Sequence, residues 1–157
     1  MKKLFVFSDT HRNLNLIKSV LLVMKECDLV IHLGDYVSDI DFLRPALREK
    51  LITVRGNGDF RFSVPDEREI EVDGIKIFLT HGHRYYVKRT LVNLGNETLS
   101  RECAIALYGH THRADIADYC GVKLINPGSF FAPWTGVPSY CYIVIWKDKI
   151  VPRIVEI

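Results

Sequence analysis

Leu4-Phe5-Val6-Phe7-Ser8-Asp9-Thr10-His11 opens the chain as an apolar run that ends in residues able to bind metal. Four further runs repeat that form. Leu29–Leu33 leads into Gly34-Asp35, and Leu51–Val54 leads through Arg55 into Gly56-Asn57. Ile75–Leu79 leads into Thr80-His81, and Ala104–Tyr108 into Gly109-His110-Thr111-His112. Short continuous runs of Val, Ile, Leu and Phe suit strands covered on both faces, unlike the alternation of a half-solvated sheet. The five runs therefore predict buried strands, each with a ligand-type side chain at its carboxyl end.

Between the first two runs, Leu14, Ile17, Val20, Leu21 and Met24 recur at helical spacing, with Asn13 or Asn15 as the cap. Between the second and third, Ile40, Leu43 and Leu47 do the same after Ser38 or Asp39. This alternation predicts parallel βαβ units. Further on, Ile70–Val72 and Ile75–Leu79 flank Asp73-Gly74, a two-residue hairpin signal. Ile116–Tyr119 and Val122–Ile125 flank Cys120-Gly121, and Ser139–Trp146 and Ile150–Ile157 flank Lys147-Asp148-Lys149. The late chain reads as antiparallel, with Tyr85–Leu94 and Thr98–Cys103 as two helices between strands. No repeat or linker divides residues 1–157, so a single mixed α/β domain is expected.

In open α/β sheets, ligands bind beyond the carboxyl ends of the strands. Asp9, His11, Asp35, Asn57, His81, His110 and His112 thus converge on one edge. In extended chain, residues i and i+2 share a face, which pairs Asp9 with His11 and His110 with His112. Mixed nitrogen and oxygen donors suit Mn, Fe, Ni or Zn better than Mg²⁺, and Mn²⁺ or Ni²⁺ is expected first. The set exceeds the ~4 ligands of a structural zinc site, so two divalent ions are expected. Ions ~3.5–4 Å apart clamp the attacking and leaving oxygens of an in-line displacement. Set against Asp9, Asp35 and a bridging hydroxide, they leave a charge of about +1, which attracts an anion and offsets charge on phosphoryl oxygens. The expected reaction is hydrolysis of a small phosphate ester by that hydroxide.

Asp9-Thr10-His11, Gly34-Asp35, Gly56-Asn57-Gly58-Asp59, His81-Gly82 and Gly109-His110-Thr111-His112 match, in order, the blocks D-x-H, G-D, G-N-x-D/E, H-G and G-H-x-H. In these blocks the chain resembles the calcineurin-like metallophosphoesterase family. Asn126-Pro127-Gly128-Ser129 resembles a further signature of its short microbial phosphodiesterase branch. The resemblance implies a four-layer α/β/β/α sandwich with mixed sheets. It implies that Asp9, His11 and His112 bind one metal, that Asn57, His81 and His110 bind the other, and that Asp35 bridges them. Many members carry a histidine where this chain has Gly58, and that histidine is thought to protonate the leaving group. Members of the short branch lack it too. The general acid is left to His83 or a metal-bound water, so Asp35, Asn57, His81 and His83 form the expected catalytic group. A chain this short holds no large cap domain, which favours a phosphodiesterase over a phosphomonoesterase. Some relatives have become scaffolding subunits of membrane-coat complexes after losing ligand histidines, whereas every ligand position is filled here.

Composition bounds the rest. The 21 basic and 19 acidic residues of the 157 leave a net charge of +2, too small to indicate nucleic acid or a membrane surface as partner. Cys27, Cys103, Cys120 and Cys141 form no C-x-x-C pair and read as reduced thiols in a cytoplasmic protein. No apolar run approaches the ~18 residues of a membrane span, and Leu4–Phe7 is too short for the ~7–15 apolar residues of a signal peptide.

Any one of the ligand-type residues read alone is a turn or cap residue. Their recurrence at five strand ends argues for a site. Gly34, Gly56, Gly82 and Gly109 read as places where backbone must turn tightly, and His32 as a core histidine with a satisfied ring, or as one that supports a ligand. Arg84, Tyr85, Tyr86 and Arg89 read as a solvated helix face, and Cys103 and Asp59 as supports for the ligands. Phe130, Phe131 and Trp134 read as core or as a subunit surface, which leaves a homo-oligomer open.

Overall fold

The computed structural model describes residues 1–131 and 136–157. All five apolar runs form strands. β1 (Lys2–Phe7) pairs in parallel with β2 (Leu29–His32), and β2 in parallel with β3 (Leu51–Thr53). Two late strands, Ser139–Trp146 and Lys149–Glu156, form a hairpin that joins β1 antiparallel and completes a five-stranded sheet.

The second sheet begins with β4 (Glu67–Val72), which turns through Asp73-Gly74 into β5 (Ile75–Thr80). β5 pairs in parallel with β6 (Ile105–Leu107), and β6 in parallel with β8 (Val122–Pro127), which forms a hairpin with β7 (Ala114–Tyr119). The three expected hairpins are all present. The expectation of a purely antiparallel late chain fails at β6, because the crossover after β5 returns the chain in the same direction. The late hairpin of the first sheet is β9–β10.

Side-chain alternation stacks the layers. Leu4 and Val6 of β1 face the second sheet, in a core with Ile31, Leu33, Ile77, Leu79, Ile105, Leu107, Ile125, Ile143 and Ile145. Phe5 and Phe7, one residue out of phase, face helices and pack on Ile17, Met24, Ile40, Leu43 and Leu47. In the second sheet, Phe78, Ala106 and Tyr108 turn outward onto Val87 and Leu94. Fully burying each such side chain contributes roughly 1.5–3 kcal/mol. The result is a four-layer α/β/β/α sandwich with mixed sheets, as the resemblance implied.

The helices depart from expectation in three places. The periodic segment after β1 is broken into α1 (Leu14–Ser19) and α2 (Leu21–Glu26), with Asn13 capping α1 by accepting from the Leu16 N–H at 3.3 Å. Ser19 Oγ donates to the Leu16 carbonyl at 2.8 Å, a back-bond that competes with helix continuation ahead of the β-branched Val20. The segment after β2 is mainly 3₁₀ (Val37–Leu43), followed by the single turn α3 (Arg44–Leu47). Neither Ser38 nor Asp39 caps it. The two helices expected around Gly95 are one, α4 (Val92–Ser100), preceded by a 3₁₀ turn at His83–Tyr85. Gly95 does not break α4. It lets the helix approach β7, since a Cβ there would collide with the Tyr119 ring. Phe130 is buried, Phe131 is partly exposed, and Trp134 lies outside the described residues.

Candidate metal centre

The loop after β1 turns at once. Asp9, His11 and Arg12 adopt left-handed backbone with φ of 53°, 42° and 65°. Asp35, His110 and His112 do likewise, at 59°, 69° and 60°. The expectation that Asp9/His11 and His110/His112 share a face as extended i, i+2 pairs is therefore corrected. Non-glycine residues rarely take positive φ, and such strain clusters at functional sites. Gly34 at φ 93° and Gly82 at φ 99° occupy left-handed backbone too. A Cβ on Gly56 would strike the Asp35 carboxylate, and one on Gly109 would strike Ser8 Oγ.

Despite these turns, the carboxylates and imidazoles meet. Asp9 is fully buried; its Oδ2 accepts from Ser8 Oγ at 2.6 Å and from the His110 N–H at 3.2 Å. Asp9 Oδ1 stands 3.1 Å from His112 Nε2 and 3.9 Å from His81 Nε2. Asp35 Oδ1 accepts from the Gly58 N–H at 2.8 Å, and its Oδ2 lies 3.5 Å from His81 Nε2. The His11 ring centroid is 5.0 Å from that of His112, and that of His81 is 5.1 Å from His110 and 5.5 Å from His83.

Among the described residues, two sets could each hold an ion: Asp9, His11 and His112, and Asp9, Asp35 and His81, with the ligand atoms of each set within 4.8 Å of one another. The residue common to both is Asp9, whereas the resemblance gives the bridge to Asp35. His110 lies beside the second set through its ring contact with His81. Asn57 is exposed and lines a groove with Gly56 and His83.

A direct observation tests whether metal suits these residues. Asp9 Oδ1, His11 Nε2, His81 Nε2 and His83 Nδ1 are buried without an aligned hydrogen bond among the described residues. Buried polar groups are nearly always satisfied, and leaving one unmet costs roughly 1–3 kcal/mol. Several such atoms converging with ionised carboxylates fit cation ligation.

The electrostatics point the same way. Burial alone would raise the Asp9 carboxyl, but the imidazoles of His112 and His81 and the Ser8 hydroxyl outweigh it and hold the group below its usual range. Asp35 is lowered as well: burial opposes its charge, but His81 and the Gly58 N–H outweigh it. Desolvation pushes His110 down to about 4, aided by neighbouring His81, and it lowers His11 and His83 as well. His81 moves the other way. Burial opposes its charge, but Asp35 and Asp9 outweigh burial and raise its pKa. Ionised carboxylates and neutral imidazoles are the ligating forms, and the two carboxylates that raise His81 are the groups a cation would pair with.

Several supports of the site carried no recognised signal. Asp39 is buried and accepts from Thr10 Oγ1 at 2.8 Å and the Arg12 N–H at 2.6 Å, fixing the loop that carries His11. Asn126 Nδ2 donates to the Gly109 carbonyl at 2.9 Å and to Thr111 Oγ1 at 3.1 Å, holding the His110–His112 loop. Ser129 Oγ donates to the Asp9 carbonyl at 2.9 Å. The Asn126-Pro127-Gly128-Ser129 block was noticed, but only contacts across the fold give it this role. Asp59 takes the supporting role expected of it, accepting from the Val37 and Gly56 N–H groups at 2.8 and 2.9 Å. Cys103 does not, being buried beneath α4. His32 is a core residue, its Nδ1 3.2 Å from Thr53 Oγ1, but its ring is not fully satisfied, since Nε2 is buried with no hydrogen-bond partner among the described residues.

Known proteins share the family and the fold of this chain. The family model for the calcineurin-like phosphoesterase superfamily domain matches residues 1–148. A probable metallophosphoesterase of Bacillus subtilis is 34% identical over 129 residues, covering 82% of this chain and 75% of its own. A phosphodiesterase of Methanocaldococcus jannaschii is 28% identical over 154 residues, covering 87% and 89%. Among solved structures, a predicted phosphoesterase of Streptococcus pneumoniae superposes with a TM-score of 0.84 at 26% identity, covering 99% of this chain and 89% of its own. A single mutant of Vps29 from Entamoeba histolytica superposes with a TM-score of 0.80 over 99% of both chains, at 21% identity, which shows shared fold alone. The chain belongs to the calcineurin-like phosphoesterase superfamily.

Proposed function

We propose that this chain is a phosphodiesterase that hydrolyses small phosphate esters with two divalent metal ions. Asp9, His11 and His112 would hold one ion, and Asn57, His81 and His110 the other, with the Asp9 and Asp35 carboxylates between them. Bound there, the pair supplies the Lewis acidity that makes water a nucleophile at neutral pH and offsets charge on phosphoryl oxygens. The observation that carries this reading is the convergence of buried ligand atoms on Asp9, His11 and His81 that lack an aligned hydrogen bond and face one another across two carboxylates.

The chain's own groups supply the rest. The Leu33 carbonyl accepts from His81 Nδ1 at 2.8 Å and so aims Nε2 at the two carboxylates. Gly58 brings no side chain to the site, so His83, its ring 6.1 Å from His110, is the candidate to protonate the leaving oxygen. Two open grooves of about 360 Å³ flank the loop at Gly58, room for the two arms of a diester. The phosphodiesterase relative supports the same preference. The described cysteines are all unpaired, which suits a reducing cytoplasm.

A second reading, a binding module without catalysis, rests on the shared fold of Vps29. One assay separates the readings. Chelated protein is reloaded with Mn²⁺, Ni²⁺ or Mg²⁺ and offered bis-(p-nitrophenyl) phosphate and p-nitrophenyl phosphate. The phosphodiesterase reading expects activity lost on chelation, restored best by Mn²⁺ or Ni²⁺, and higher on the diester. Higher turnover of the monoester would make it a phosphomonoesterase. No turnover with any ion in folded, metal-loaded protein would favour the binding module.

A further inference from the structure

Phe60 and Phe62, three and five residues beyond Asn57, are 86% and 79% exposed. Large aromatic side chains are ordinarily buried, and two exposed together beside a polar site ask for an occupant. The chain around them is braced. Asp59 holds the backbone of Gly56 and Val37, Arg61 forms a two-pronged pair with Asp41 at 2.7 Å on each prong, and Arg55 bonds Asp66 at 2.6 and 2.8 Å. The rings are thus presented by a secured loop.

Both phenylalanines line one groove with Asn57 and His83, so its floor is continuous with the candidate metal centre. The Arg55 guanidinium lies 4.7 Å from the Phe62 ring centroid, which fixes one side of that ring by cation–π attraction. Arg55 and Arg84 share Asp66 at 2.6 and 3.1 Å, and with Asp59 on the same wall the charges of the groove balance. An occupant that covers the rings must bring a flat apolar surface at that end, and its other end reaches Asn57 and His83 at the candidate centre.

We propose that Phe60 and Phe62 form a stacking shelf for a planar ring carried by one arm of the phosphate ester, a nucleobase or a ring of similar size. This rests on the phosphoesterase reading for the position of the phosphate and adds the substrate class. The phosphate lies over the histidines, and the ring it carries lies on the two phenylalanines.

The test compares ligands that differ only in the ring. Binding of adenosine 5′-monophosphate and of ribose 5-phosphate is measured by equilibrium dialysis with Mn²⁺ present, for the native chain, Phe60→Ala and Phe62→Ala. Stacking on an aromatic side chain strengthens binding roughly 5- to 150-fold per base. The native chain should prefer the nucleotide by that order. Each substitution should cut the preference at least 5-fold and leave ribose 5-phosphate binding unchanged. Equal binding of both ligands by the native chain overturns the shelf, as does an undiminished preference in both variants. A shift in oligomeric state in either variant, read by light scattering, overturns it in favour of a subunit contact. Turnover of bis-(p-nitrophenyl) phosphate is measured in parallel. A shelf seen by dialysis without turnover leaves the stacking site and removes the enzyme reading, and turnover without ring preference does the reverse.

Discussion

Gly58 N–H donates to Asp35 Oδ1 at 2.8 Å, so the residue at the third position of the Gly56-Asn57-Gly58-Asp59 block is itself part of what holds the proposed bridging carboxylate. A side chain there answers to Asp35 before it answers to substrate. A Cβ on Gly58 would lie 3.1 Å from Asp35 Oδ1, close enough that the carboxylate must give by a few tenths of an ångström. Gly58 is not in left-handed backbone, so histidine meets no torsional bar. General acids contribute ~10²–10⁴-fold, so Gly58→His should speed alkyl esters more than aryl esters and flatten the dependence of rate on leaving-group pKa. A metal-loaded variant with an unchanged slope would mean that another acid already acts, with His83 the one to remove next.

Asp35→Asn should release at least one ion and abolish turnover while the fold survives. The carboxylate lies at the strand ends, and its contacts are the Gly58 N–H and His81 Nε2. Metal content by mass spectrometry and a melting curve decide the matter. Two ions and near-native turnover in the variant would remove Asp35 from the centre.

Asn126→Ala should weaken metal binding without touching a ligand. Groups that orient ligands typically contribute 10–100-fold to metal affinity. Asn126 secures the loop of His110 and His112 through the Gly109 carbonyl and Thr111 Oγ1. Calorimetric titration with Mn²⁺ below the melting temperature should show a weakening of about that size. Unchanged affinity would show that the loop holds itself.

Acid should destabilise the metal-free protein partly through His32. Burial depresses this imidazole to about 3, below its ordinary 6.5. Its contribution is therefore intact above 6.5 and is lost as pH falls toward 3, because the unfolded chain takes up a proton that the folded chain refuses. One such proton changes stability by ~1.4 kcal/mol per pH unit in that window. His11, His83 and His110 share the direction, so the measurement is a difference. Urea unfolding at pH 7, 6, 5 and 4 should show a shallower decline for His32→Gln than for the native chain. Parallel declines would mean that His32 is protonated in the fold.

The strands and the candidate ligands were legible because they obey one local rule, an apolar run stopped by a polar residue at the site edge. Phe7 into Asp9 and Leu79 into His81 are examples. The helices were less so. The break at Val20 depends on where the Ser19 hydroxyl bonds, and the unbroken helix through Gly95 depends on Tyr119, which lies 24 residues away in sequence. Asp39 looked like a helix cap because it precedes an apolar pattern, yet its partners are Thr10 and Arg12 on another loop. The left-handed turns at Asp9, His11, His110 and His112 had no local signature, since none of these positions is glycine. They persist because the surrounding packing over-determines them.

Asp9 and His11 leave the sheet built on β1, whereas His112 and His81 leave the sheet built on β5 and β6, and each of the two possible ion sets draws on both. Any cation held there therefore also fastens one half of the sandwich to the other at its polar rim. Occupancy becomes a mechanical variable: a loaded chain is laced at the end where the apolar core stops, and a stripped chain keeps there only hydrogen bonds such as those from His110 N–H to Asp9 and from His81 Nδ1 to the Leu33 carbonyl. Chelation and unfolding are then two ways of loosening the same seam.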